Sequence, residues 1–206
     1  MLFRSDPYHS PVWRGLRTLI LSSFLLISGL SFGLAQVSGR DFSSLKNRWL
    51  QIAGCAFAVT AGSYLMFPNS PILFGVLHAV CAMWLIAYFI MGMLSSAYLI
   101  SLIGIVMILA GTALKFDALS QPWLSWLGMV SRKPRTEDYV PLLPWIGVFM
   151  LGLAASKTRA LEWALHQPLQ HRALSWLGKR SLTVYMVHQP IFIGLLWLLV
   201  TAFKAT

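Results

Sequence analysis

The stretch SLTVYMVHQPIFIGLLWLLV, residues 181 to 200, decides the fold. Crossing a hydrocarbon core about 30 Å thick takes around 20 mostly apolar residues in a helix, and this segment supplies them. It nevertheless carries His188, Gln189 and Pro190 in a row near its centre. Tyr185, His188, Gln189 and Phe192 fall at i, i+3, i+4 and i+7, so they share one helical face, and polar groups there are expected to point at protein rather than lipid. Pro190 has no N–H and displaces the carbonyl four residues earlier, that of Met186. His188 and Gln189 therefore either satisfy a kink or neighbouring helix, or belong to a site.

Working outward, the same apolar pattern recurs along the chain. Spans are expected near residues 18–35, 49–67, 72–93, 96–114, 140–155 and 182–203, separated by polar joints. The 206 residues are 57% hydrophobic and only 11% charged, against roughly a quarter charged in soluble domains. The expectation is an all-α, polytopic transmembrane helical bundle of about six spans, forming a single domain over residues 1–206. A spanning backbone must satisfy its own hydrogen bonds, which helices do and unpaired strands do not. The first span is too long for a signal-peptide core and reads as a retained helix. Residues 159–178 alternate leucine with charge around Pro168 and read as interfacial amphipathic helices. Gly29 with Gly33, and Gly54 with Ala58 and Gly62, have the spacing that lets helix backbones approach closely.

The net charge of +10 sits in the joints between spans, which points to anionic lipid headgroups and not to nucleic acid. Lysines and arginines divide equally between the two sides of a six-span layout, so charge bias does not orient the chain. Cys55 and Cys81 fall inside spans and imply no disulfide framework. There is no His-Glu-x-x-His and no cysteine pair at ligand spacing, so no metal site is expected. His78, in FGVLHAVCA, shares a face with Gly75, Ala79 and Ala82, and reads either as an interhelical hydrogen-bonding group or as part of a site. A haem shared by His78 and His188 is disfavoured, because their expected depths differ by about 12 Å. Glu137 and Asp138 sit at the mouth of the fifth span. Asp138 either caps that helix or presents a carboxylate able to orient or deprotonate a histidine or substrate hydroxyl. His9, in PYHSPVW, lies on the same side.

Three stretches together, PVWRGLRTLILSSFLLISGLSFGLA, EDYVPLLPWIGVFMLGLA and LSWLGKRSLTVYMVHQPIFIGLL, resemble the bacterial relatives of the heparan-alpha-glucosaminide N-acetyltransferase catalytic domain. FGVLHAV also fits, so the resemblance covers nearly the whole chain. It implies acyl transfer across a bilayer, with acetyl-CoA as co-substrate and a sugar amine or hydroxyl, or another small extracytoplasmic molecule, as acceptor. His9, followed by Trp13 and Gly15, loosely fits the position of the family's key histidine. Family members normally begin with an additional helix, and the resemblance implies that this chain starts just after it.

The resemblance places His9 and Asp138 near the acceptor and His188 on the donor side as catalytic residues. Lys179 and Arg180 would meet CoA phosphates, and His78, Tyr139 and Gln189 would contact substrate. It also implies a multi-pass protein of a bacterial inner (plasma) membrane, and a homo-oligomer is compatible with it. The rival reading is a non-enzymatic bundle, either a transporter or a partner-packing subunit, or an inactive truncated family member. A transporter should show paired broken helices in inverted repeats, and no internal repeat is evident.

Overall fold

A computed structural model describes residues 10–39, 42–66, 68–132, 134, 136, 138–158 and 180–204. Within them the side chains of His188, Gln189 and Pro190 lie outside the description. The chain divides into two compact units, Met1–Leu165 and His166–Thr206.

In the first unit, α1 spans Pro11–Val37. Ser10 starts it by accepting the Trp13 N–H at 3.5 Å, and Pro11 takes the first turn, where its missing N–H costs nothing. At 27 residues the helix is about 40 Å long, longer than a hydrocarbon core, so its first turns carry Arg14 and Arg17 beyond the apolar layer. Helix α2 covers Phe42–Met66 and α3 covers Val76–Met93. Trp49 ties them by donating its indole N–H to the Cys81 carbonyl at 3.1 Å. Helix α4 runs Ala97–Ala113 behind a Ser96 cap, and α5 covers Leu142–Ala155. Lys157, just past α5, donates to the Leu94 and Ser95 carbonyls at 3.3 and 3.2 Å, serving groups orphaned at the C-terminus of α3.

Helix α5 is the hub. Its 14 residues, interrupted by extended backbone at Leu143, are too few to cross a bilayer alone, and it is apolar on every side, the signature of a helix buried among others. It packs most extensively against α4 and α1, and also touches α3. Phe149, Met150 and Leu153 of α5 are fully enclosed with Leu25 and Phe32 of α1, Met83 of α3 and Ile100 of α4. Phe32 joins three helices, with its ring 5.0 Å from Trp84 and 6.3 Å from Phe149 between centroids.

The expected small-residue contacts separate into two outcomes. Gly29 and Gly33 lie against the α5 backbone and Ser156, as expected. Gly54 and Gly62 of α2 have no described atom within reach of an added Cβ, so that motif packs nothing among the described residues.

Large apolar side chains on the outer faces, such as Leu19 and Ile27 on α1 and Tyr98, Leu102 and Leu109 on α4, are well exposed. Such a surface suits lipid contact and would be an association hazard in water. By length and composition Pro11–Val37, Leu45–Met66 and Val76–Met93 are able to cross a membrane, with Ala97–Ala113 and Leu142–Ala155 as shorter apolar helices. The protein is a helical membrane bundle.

In the second unit, α6 covers Ser181–Lys204 and runs through Pro190. Its first turn closes with the Val184 N–H donating to the Arg180 carbonyl at 3.0 Å. The expected interfacial helices at 159–178 lie outside the described residues.

Candidate functional site

The start of α1, the start of α3 and the segment leading into α5 meet at one end of the first unit. The lead-in is fastened alongside residues 71–76, with the Thr136 hydroxyl donating to the Pro71 carbonyl at 2.9 Å and the Val140 N–H to the Phe74 carbonyl at 3.4 Å. This fixes Asp138 over the N-terminus of α3.

Asp138 caps a helix, but not its own. Its Oδ2 accepts the Val76 N–H at 3.1 Å, from a residue 62 positions away, while α5 has Pro141 at its N-cap and no side-chain cap. Gly75 occupies the N-cap of α3 and has no side chain to offer. The carboxylate fills its place, and a Cβ on Gly75 would sit 2.6 Å from Oδ2. The other carboxylate oxygen faces Arg17 Nη2 at 3.9 Å, a long, partly exposed pair of small energetic weight.

His78 stands at the third position of α3, where it accepts the Gly75 N–H on Nδ1 at 3.4 Å. Its Nε2 is 3.1 Å from the Thr60 hydroxyl. That hydroxyl donates its single proton to the Ile72 carbonyl at 2.9 Å, so it accepts from Nε2–H, and the two contacts together assign the Nε2–H tautomer. The histidine and the carboxylate thus serve consecutive N–H groups of one helix start. Phe74 adds an aromatic wall, 5.9 Å from His78 and 5.8 Å from Trp126 between ring centroids.

Tyr139 donates its hydroxyl to the Ser125 carbonyl at 2.6 Å, and burial pushes its phenol up to about 12. The phenol is therefore a neutral hydrogen-bonding group at physiological pH. Because the folded value lies above the ordinary 10, the neutral phenol's contribution is fully present below pH ~10 and is lost as pH rises through ~12. Tyr139→Phe is expected to flatten that alkaline loss relative to wild type and to cost about 1 kcal/mol at neutral pH for the hydrogen bond. Thermal unfolding in detergent across the alkaline range measures both.

Of the residues expected from sequence, the structure brings His78, Asp138 and Tyr139 to this end of the bundle. His9 and Lys179 lie outside the described residues. Arg180 is exposed at the start of α6, and only the backbone of His188 and Gln189 is described, within α6. Arg17 and Thr60 were not anticipated at this site, and Gly75 was expected only as a neighbour of His78 on one helical face. A glycine at the N-cap with a histidine three residues on was the available signal, since such a start needs a remote acceptor. Among the described residues no three His, Cys, Asp or Glu side chains converge as a metal site would require.

The profile of the heparan-alpha-glucosaminide N-acetyltransferase catalytic domain matches residues 2–190. The chain belongs to this family. No curated protein and no solved structure matches it. The heparan-alpha-glucosaminide N-acetyltransferase catalytic family points to an acetyltransferase-like membrane function, and the family in general uses an acetyl donor derived from acetyl-CoA. In this family member the matched region takes in the whole Asp138–His78 mouth.

Proposed function

We propose that the protein is an integral membrane acyltransferase that moves an acetyl group from acetyl-CoA to a sugar or other extracytoplasmic acceptor. The observation that carries this reading is the Asp138 carboxylate, held over the start of α3 with Arg17 beside it and still partly exposed. In the reaction an acceptor amine or hydroxyl attacks the thioester carbonyl, the C–S bond breaks and CoA leaves as the thiol. The proton lost by the acceptor needs a base at the point of attack. On this reading Asp138 takes that proton or orients His9 to take it, the Val76 N–H holds the carboxylate with Arg17 beside it, and His78 and Tyr139 border the acceptor. Lys179 and Arg180 are the proposed contacts for CoA phosphates. The bilayer of a bacterial inner membrane and a small-molecule acceptor are the proposed partners.

One set of observations favours a second reading. Both ring nitrogens of His78 are engaged within the protein, and Asp138 caps α3, as a purely structural clasp would require. The non-enzymatic bundle and the inactive family member both fit it. The deciding assay reconstitutes the full chain in nanodiscs with acetyl-labelled acetyl-CoA and glucosamine. Label is expected on the amine, at a rate that His9→Ala reduces at least 100-fold. Wild-type protein that neither transfers the label nor hydrolyses the thioester would leave the clasp as the surviving reading.

A further inference from the structure

The segment joining α4 to α5 is folded on itself, yet it carries its largest apolar side chains outward. Phe116 pairs with Val130 in a parallel bridge, and its N–H donates to the Met129 carbonyl at 2.8 Å. Short 3₁₀-helical turns follow at Asp117–Ser120 and Ser125–Leu127, and the Ser120 hydroxyl accepts the Ser131 and Arg132 N–H groups at 3.1 and 3.2 Å. Tyr139 fastens this lip to the lead-in of α5 through the Ser125 carbonyl. Trp123 is nevertheless 70% exposed and Phe116 48%. Leu102, Ile105, Val106 and Leu109 of α4 are exposed as well, and exposed Leu114 carries this apolar series from the helix into the lip. Lys115, next to Phe116, and Arg132, two residues past Val130, are both exposed. Trp13, Arg14 and Arg17 add exposed aromatic and basic groups on the first turns of α1, at the same end of the first unit. Among the described residues this end therefore sets Arg14, Arg17, Lys115 and Arg132 against Asp117 and Asp138.

We propose that this lip, residues 114–132, docks on the interfacial zone of an anionic bilayer, with the Phe116 and Trp123 rings among the lipid ester groups and Lys115 and Arg132 on headgroup phosphates. Tryptophan suits that zone because its ring is apolar while its N–H still finds polar partners. In water the same surface would be an association hazard. The excess of basic over acidic groups is complementary to phosphate, and each lysine or arginine near an anionic surface favours it by about fivefold. Docked, the lip holds the neighbouring Asp138 mouth at headgroup depth, because Tyr139 is tied to Ser125. The docking does not depend on acyl transfer.

The test places a bimane fluorophore on Gln121→Cys, an exposed position near Trp123 that leaves both rings in place, in the full chain reconstituted in liposomes. Ala118→Cys, also exposed, serves if the first variant fails to fold. The unsubstituted chain supplies the background from Cys55 and Cys81. A nitroxide carried high on a lipid acyl chain is expected to quench the probe strongly and one near the chain end weakly, while aqueous iodide quenches little. At low salt a nitroxide on phosphatidylglycerol should quench about threefold more than the same group on phosphatidylcholine, a preference that high salt reduces. Lys115→Gln with Arg132→Gln should abolish the preference, and Phe116→Ser with Trp123→Ser should open the probe to iodide. Free iodide access with the lip otherwise unaltered shows it standing in water and overturns the docking. Shielding from iodide and from both nitroxides shows other protein covering the lip, and overturns it equally. So does equal quenching by the two lipids at low salt, because the basic residues then hold no headgroup.

Discussion

Gly152→Leu is expected to abolish recovery of folded, monodisperse protein. An added Cβ at Gly152 lands on the Leu26 carbonyl of α1, and one at Gly29 lands on the Phe149 carbonyl of α5, so the two helices cross with backbone against backbone at two reciprocal points. No flexible side chain lies there to swing aside. The helices would have to separate, which opens the packing around Phe32, Phe149 and Leu153, all essentially inaccessible. Overpacking a tight interior costs about 1–3 kcal/mol and more when backbone must move, and close approach of this kind is a main source of helix association in lipid. The expected loss is about 3 kcal/mol or more for Gly152→Leu, and comparable for Gly29→Leu. The internal control is Gly54→Ala on α2, where no described atom lies within 4 Å of the added carbon. It should be neutral, or stabilise by up to about 1 kcal/mol through the better helix propensity of alanine. Size-exclusion profiles and unfolding temperatures in detergent read both. A well-behaved Gly152→Leu protein with unchanged stability would refute the direct backbone crossing.

The contrast between Gly29 and Gly54 marks what sequence discloses in such a chain. Apolar runs set by bilayer thickness made helices legible, because in lipid each helix must satisfy its own backbone whatever its neighbours do. Which face meets protein is a separate matter. Both glycine motifs have the same spacing, and only the packing of α1 across α5 gives one of them a partner. The apolar run begins at residue 18, whereas helix α1 begins earlier and carries Arg14 and Arg17 ahead of that run. Ser10 and Pro11 are the actual start signal, and the helix simply extends past the apolar layer. At the site, Asp138 was legible as a capping residue or a carboxylate at a helix mouth. The helix it caps was not, because that depends on a contact 62 residues away. Arg17 was hidden for the same reason: its pairing with Asp138 is set by the tertiary crossing of α1 near α3 and α5.

Asp138→Asn separates the two roles of that residue. The amide oxygen of asparagine still accepts the Val76 N–H, so the start of α3 remains capped. Only the pairing with Arg17 is lost, and a partly exposed pair at 3.9 Å is worth under about 1 kcal/mol. Folding should therefore change little. Transfer should fall about 10²- to 10⁴-fold, because an amide neither takes a proton nor stabilises a protonated histidine. Asp138→Ala is expected to lose transfer to the same extent, with a further stability loss of about 0.5–2 kcal/mol for the missing cap. Gly75→Ala approaches the site from the other side. Its methyl would meet Oδ2 at 2.6 Å and displace the carboxylate without altering its charge, so it should lower transfer even though Asp138 is intact. If the mouth is only a clasp, the ranking changes: asparagine works as well as aspartate, and any loss in the alanine variants tracks their unfolding temperatures. Measuring acetyl transfer and thermal stability on the three variants in one lipid decides between these rankings. A fully active Asp138→Asn protein would remove the carboxylate from the chemistry and leave it as the cap of α3.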